Sequence, residues 1–89
     1  MNSTPMDYKI VFTKRAMRDV SKLEPEVKKA IGDALRRYGR DPLHHARKMI
    51  DPSLGSYRFR IGDYRVIFDI EGDEIVVLRA GHRSVVYRR

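Results

Sequence analysis

The stretch Ser56–Ile70, SYRFRIGDYRVIFDI, decides how this chain folds. Before Gly62-Asp63, the apolar Tyr57, Phe59 and Ile61 alternate with Arg58 and Arg60. After it, Tyr64, Val66, Phe68 and Ile70 alternate with Arg65, Ile67 and Asp69. A period of two is that of a β-strand, and Gly-Asp between two such runs marks a two-residue hairpin. In such a hairpin Ile61 stands opposite Tyr64, so the two apolar rows merge on one face. Arg58, Arg60 and Arg65 are thereby driven together onto the other face. Like charges on one side of paired strands repel unless an anion meets them; Asp69 is expected to offset part of that repulsion.

On the C-terminal side, Gly72-Asp73 makes a second tight turn into EIVVLRA, residues 74–80. This nearly continuous apolar run predicts a central strand buried on both faces. Its end delivers Gly81, His82 and Arg83 to one edge of the sheet, and the chain closes with SVVYRR. On the N-terminal side, YKIVF (8–12) predicts a strand and Thr13 a helix cap. Ala16, Met17, Val20 and Leu23 recur at helical spacing. Pro25, flanked by Glu24 and Glu26, suits the first turn of a second helix. Val27, Ala30, Ile31, Ala34, Leu35 and Tyr38 mark one face of that helix, and Gly39 with Asp41-Pro42 ends it. Residues 43–55 predict a loop with a turn of helix, and residues 1–7 a disordered start.

The expected fold is therefore α+β: an N-terminal strand, a helical hairpin, then a three-stranded antiparallel meander, in a single domain over residues 8–89. Each layer has one apolar side, so the helices must cover the apolar face of the sheet. The opposite face is expected to be open and basic.

Eighty-nine residues allow one modest core. The formal net charge of +7 is large for this length and attracts polyanions, nucleic acid foremost. After Lys48 every basic side chain except His82 is an arginine, whose planar fork suits bidentate contact with phosphate. Cysteine is absent, which excludes disulfides, thiolate metal sites and a cysteine nucleophile and fits a cytoplasmic location. No segment approaches the roughly 18 apolar residues of a membrane span.

The chemistry-bearing candidates are Arg58, Arg60, Arg65, Arg83, Arg88 and Tyr87, with His82 nearby. Guanidinium groups stabilise the charge that builds up in a phosphoryl transition state, and an aromatic ring gives an unpaired base a stacking surface. A histidine is the side chain most often used for acid–base work, which makes His82 a candidate. The adjacent His44 and His45 diverge and lack a carboxylate at ligand spacing, so no metal site is expected. There is no glycine-rich phosphate loop, no carboxylate pair and no nucleophile triad. Tyr8, Tyr38, Tyr57 and Tyr64 lie on apolar rows and are expected in the core.

YRFRIGDYRVIFDI (57–70) and IVVLRAGHRSVVYR (75–88) resemble the C-terminal half of RelE-type toxins in the RelE/ParE superfamily. The preceding strand and helical hairpin fit the same group, so the resemblance spans about residues 8 to 88. It implies a type II toxin–antitoxin toxin: a cytoplasmic, ribosome-dependent mRNA endonuclease that blocks translation and is neutralised by a cognate antitoxin. The implied chemistry is free of metal and cofactor. The RNA 2′-hydroxyl attacks the adjacent phosphate and leaves a 2′,3′-cyclic end. In the resemblance, Arg65 and Arg83 match the phosphate-contacting and leaving-group arginines, and Tyr87 the terminal catalytic tyrosine. Arg58 and Arg60 fall where the best-studied members carry lysines. A guanidinium is effectively never deprotonated, so these two become electrostatic stabilisers and Tyr87 or His82 the candidate base. Arg88 adds an RNA contact. Two other readings share the fold: a ParE-like inhibitor of DNA gyrase, and a catalytically weakened RNA- or protein-binding homologue. The GHR…VY ending favours the nuclease.

Overall fold

The computed structural model describes residues 7–88. In chain order its elements are β1 (Lys9–Phe12), α1 (Lys14–Ser21), α2 (Pro25–Tyr38), α3 (Pro42–His45), β2 (Arg47–Lys48), β3 (Tyr57–Ile61), β4 (Tyr64–Glu71) and β5 (Glu74–His82). The strands form one sheet in the order β1-β5-β4-β3-β2. β1 runs parallel to β5 and the other pairs are antiparallel. The expected α+β arrangement is observed, and the expected disordered start lies outside the described residues except for Asp7.

The hairpin register is the one the turn demands: Ile61 opposes Tyr64, Phe59 opposes Val66 and Tyr57 opposes Phe68. Gly62 has φ +59° and no non-glycine residue among those described has positive φ, the pattern of a type II′ turn with glycine first. The core forms on this face from Phe59, Val66, Phe68, Ile75, Val77 and Ala80 of the sheet, with Ala16 of α1 and Ile31 and Leu35 of α2. Thr13 caps α1 by accepting the Ala16 N–H at 3.1 Å. Pro25 opens α2 behind Glu24 as its N-cap, and the Gly39 N–H closes the helix onto the Leu35 carbonyl at 2.8 Å.

Three expectations about burial are corrected. Met17 (61% exposed) and Ala30 lie outside the apolar stripes: α1 buries Ala16 with Val20 half-buried beside it, α2 buries Ile31, Ala34 and Leu35 with Val27 and Tyr38 half-buried, and Leu23 packs half-buried just after α1. The strand buried on both faces is β4 rather than β5. Residues 65–68 are consecutively buried, whereas on β5 the buried Ile75 and Val77 alternate with half-buried Val76 and Leu78. The reason is the two-residue strand β2, which adds to β3 and shifts the middle of the sheet to β4.

Nor is the face opposite the helices wholly open. The loop 51–56 folds over it, with the Ser56 N–H donating to Asp69 Oδ1 at 2.7 Å. Asp69 thus anchors a loop instead of neutralising arginines. Ile67 and Val86 are fully buried, giving this side a small apolar patch of its own. α3 supplies the expected turn of helix, with His45 stacked on Tyr38 at 4.5 Å between ring centroids.

Candidate functional site

Cross-strand partners share a face, so the registers sort the candidate residues directly. Arg60 opposes Arg65, which opposes Gly81. Arg47 opposes Arg58, which opposes Ile67. Four arginines therefore occupy the side of β2–β3–β4 away from the helices. None of them forms an ion pair with a carboxylate among the described residues. Arg47 is an addition to the expected set. The two residues of β2 are too few for a period to be read in the sequence, and only pairing with β3 places them.

Arg65 differs from its neighbours. It is only 7% exposed, and its Nη1 donates to the carbonyls of Gly62 (2.8 Å) and Tyr64 (2.9 Å). Both carbonyls belong to the β3–β4 hairpin connection, so this guanidinium clips the turn. Beyond the turn, the Asp63 carbonyl accepts the Arg83 N–H at 2.8 Å. The Arg83 Nε lies 3.6 Å from Asp63 Oδ1 with both side chains largely exposed, a loose pair that screens easily. Arg65 thus secures the turn against which Arg83 is seated, while the Arg83 guanidinium remains accessible.

Residues 83–88 fold back as a hydrogen-bonded turn. β5 stops at His82, and the Val85 and Val86 N–H groups both donate to the His82 carbonyl at 2.9 Å. The Arg88 N–H then donates to the Val85 carbonyl at 3.0 Å. Val86 packs over Gly81, the register partner of Arg65, so the terminal turn caps the row that holds Arg60 and Arg65. Tyr87 follows in that turn, half-buried, with Arg88 exposed beyond it.

His82 is placed elsewhere. It opposes Tyr64, whose row with Ile61 packs against the helix-side core. Its ring lies edge-on to Tyr64 at 5.4 Å, and its Nδ1 accepts the Ser84 N–H at 3.1 Å. The strand alternation that gathers the arginines is what separates His82 from them. Adjacency in the sequence groups His82 with Arg83, but adjacency at the end of a strand means opposite faces.

One half-buried ion pair has no signature in the sequence. Asp19 on α1 accepts from Arg79 Nε at 2.7 Å, from Arg79 Nη2 at 3.3 Å and from the Ala80 N–H at 3.1 Å. No motif marks it, since Asp19 and Arg79 lie 60 residues apart. Among the described residues no group of three or more His, Asp or Glu side chains could hold a metal.

Comparison with known proteins gives this geometry a lineage. The family described as ParE toxin of type II toxin–antitoxin system, parDE, matches residues 10–87. The chain belongs to this toxin family, within the RelE/ParE superfamily. Toxin RelG of Mycobacterium tuberculosis is 33% identical to the toxin over 87 residues, covering 94% of this chain and all of its relative. Among solved structures, the M. tuberculosis toxin–antitoxin complex RelBE2 superposes with a TM-score of 0.78 at 31% identity, over 88% of this chain and 100% of that one. The archaeal RelE–RelB complex from Pyrococcus horikoshii gives 0.71 at 20% identity, over 91% and 100%, a likeness of fold. The toxin is thus a RelE-like α+β domain of a type II toxin–antitoxin system. No helix among its described residues is long and apolar enough to cross a membrane.

Proposed function

We propose that this toxin is a metal-independent, ribosome-dependent mRNA endonuclease that acts in the cytoplasm and is neutralised by a cognate antitoxin. The observation that carries this reading is the gathering of Arg47, Arg58, Arg60 and Arg65 on one face beneath the turn that bears Arg83 and Tyr87. A row of guanidinium groups without carboxylate ion pairs among the described residues is suited to a polyanion, and a phosphate entering it gains charge-assisted donors. The gyrase-inhibitor reading gives no role to that row.

In the proposed reaction the RNA 2′-hydroxyl attacks the adjacent phosphorus, the bond to the 5′-oxygen breaks, and a 2′,3′-cyclic phosphate and a 5′-hydroxyl form. Arg58 and Arg60 hold the phosphate and stabilise the growing charge of the transition state. Arg83, accessible at the hairpin turn, stabilises the departing oxygen, which takes its proton from water to become the 5′-hydroxyl. Tyr87 stacks on an unpaired base or relays the 2′ proton through its hydroxyl to water. Arg65 keeps the turn in place and adds positive potential from beneath, its Nη1 being engaged with two carbonyls. Arg88 follows the RNA backbone. Ribosome dependence fits so sparse a site: in-line attack needs one geometry of a flexible strand, and a ribosome-held codon supplies it. An acidic antitoxin is the natural neutraliser of a chain with net charge +7. RelBE2 was solved as a toxin–antitoxin complex, and archaeal RelE in complex with RelB.

Primer extension on mRNA in a translation extract tests this. Cuts inside ribosome-occupied codons are expected, with Arg83→Ala slowing cleavage by about 100-fold or more while antitoxin binding persists. Intact mRNA together with inhibited DNA supercoiling would instead establish the gyrase reading.

A further inference from the structure

We propose that Asp19 and Arg79 are positioning residues, a strut that reaches from α1 through β5 to the chain terminus and holds the turn carrying Arg83 and Tyr87 in its working geometry. The role in catalysis rests on the nuclease reading above. The strut itself is a matter of hydrogen bonds. Asp19 and Arg79 are only 16% and 14% exposed. The Asp19 carboxylate engages two nitrogens of Arg79 and the Ala80 N–H. This leaves Arg79 Nη1 aimed at the terminus, where it donates to the Arg88 carbonyl at 2.9 Å.

The terminal turn needs such a hold. Its own backbone–backbone bonds among the described residues are the three short-range ones from Val85, Val86 and Arg88, and the His82–Ser84 side-chain contacts brace only its first residues. Val86 supplies the apolar anchor over Gly81. Arg83 is tied through its N–H to Asp63 at one end of the turn, and Arg79 ties Arg88 at the other. Tyr87, one residue before the second tie, takes its position from both. Arginine suits this place because its planar fork faces a carboxylate with two nitrogens and still presents a third to another acceptor. Arg79 is therefore not one of the phosphate-facing arginines that its place in the arginine-rich C-terminal half suggests.

Two variants and two measurements test the strut. Arg79→Lys keeps a cation opposite Asp19 but has no fork with which to reach the Arg88 carbonyl. Asp19→Asn keeps an acceptor for the Ala80 N–H but removes the charge that orients Arg79. In the isolated toxin, hydrogen exchange at the Val85, Val86 and Arg88 amides should quicken by about 10- to 100-fold, while β4 amides keep wild-type rates. On saturating ribosomes, single-turnover mRNA cleavage should slow by about 10- to 100-fold, with the half-saturating ribosome concentration unchanged. A general loss of stability would instead quicken exchange in β4 as well, and that result overturns the strut. Should Asp19→Asn fail to fold, Arg79→Lys alone decides. Unchanged exchange at the three amides, or quickened exchange with undiminished cleavage, overturns the proposal. A wild-type chain that leaves ribosome-bound mRNA intact refutes the nuclease reading, and with it the catalytic half of this inference. Unchanged exchange in variants of a wild-type chain that does cut refutes the strut alone.

Discussion

Replacing Gly55 with alanine should unfold this protein more readily than any other single methyl added to one of its turns. Gly55 has φ +147°, a conformation that side-chain-bearing residues rarely adopt. A Cβ there would lie 2.6 Å from Ile67 Cγ2, 3.0 Å from Leu78 Cδ1 and 3.7 Å from the Phe68 carbonyl oxygen. Leu78 can swing its end away, but Ile67 is fully buried in the middle strand and cannot. The backbone strain costs about 1–3 kcal/mol and the overpacking about 1–3 kcal/mol. Together they remove about 2–6 kcal/mol from a domain whose whole stability is on the order of 5–13 kcal/mol at this size. For a domain of this length that lowers the melting temperature by about 10 °C or more. Gly62→Ala is the matched control. Its φ of +59° is also positive, yet nothing lies within 4 Å of the new Cβ, so only the left-handed penalty of about 1–2 kcal/mol applies. Urea unfolding followed by far-ultraviolet circular dichroism measures both. A Gly55→Ala variant no less stable than Gly62→Ala would refute the seating of the loop on Ile67, and with it the account of why the far face is partly closed.

The site and its supports give further expected outcomes. His82→Ala should leave mRNA cleavage within about threefold of wild type while Arg83→Ala abolishes most of it, because His82 lies on the helix-side row; equal losses in the same primer-extension assay would contradict that placement. Arg58→Ala and Arg60→Ala should each weaken RNA binding and flatten its dependence on salt by about one phosphate contact, measured by titration across a range of salt concentrations. Thr13→Ala should cost about 1 kcal/mol in urea unfolding, since it removes the acceptor for the Ala16 N–H at the start of α1. Asp33 on α2 has its carboxyl held below the usual carboxylate range by a hydrogen bond from Lys29, aided by the charges of Lys29 and Arg36. A depressed carboxylate adds stability above its unfolded pKa and loses it as the pH falls through the lower folded value. Asp33→Asn should therefore narrow the acid-side loss of stability slightly, by an amount that fades in high salt because the carboxylate and its two cations lie at the surface.

The hairpin and the two faces it creates are legible in the order of residues. Gly62-Asp63 between two alternating runs leaves one register, and that register puts Phe59, Val66 and Phe68 on one face and Arg58, Arg60 and Arg65 on the other. The caps at Thr13 and Pro25 and the helical stripes are legible for the same reason: each is a local rule acting over a few residues. Which arginines are accessible is settled only in the folded molecule. Arg60 and Arg65 look alike in the sequence, yet one is exposed and the other is buried and bound to its own turn. Folding also recruits Arg47 through β2, removes His82 from the basic face, and commits Arg79 to Asp19 and the Arg88 carbonyl. Each of these depends on groups far apart in the chain meeting across the sheet. Local periodicity sets which side of a strand a residue takes, but burial and bonding partners are set by what folds over it.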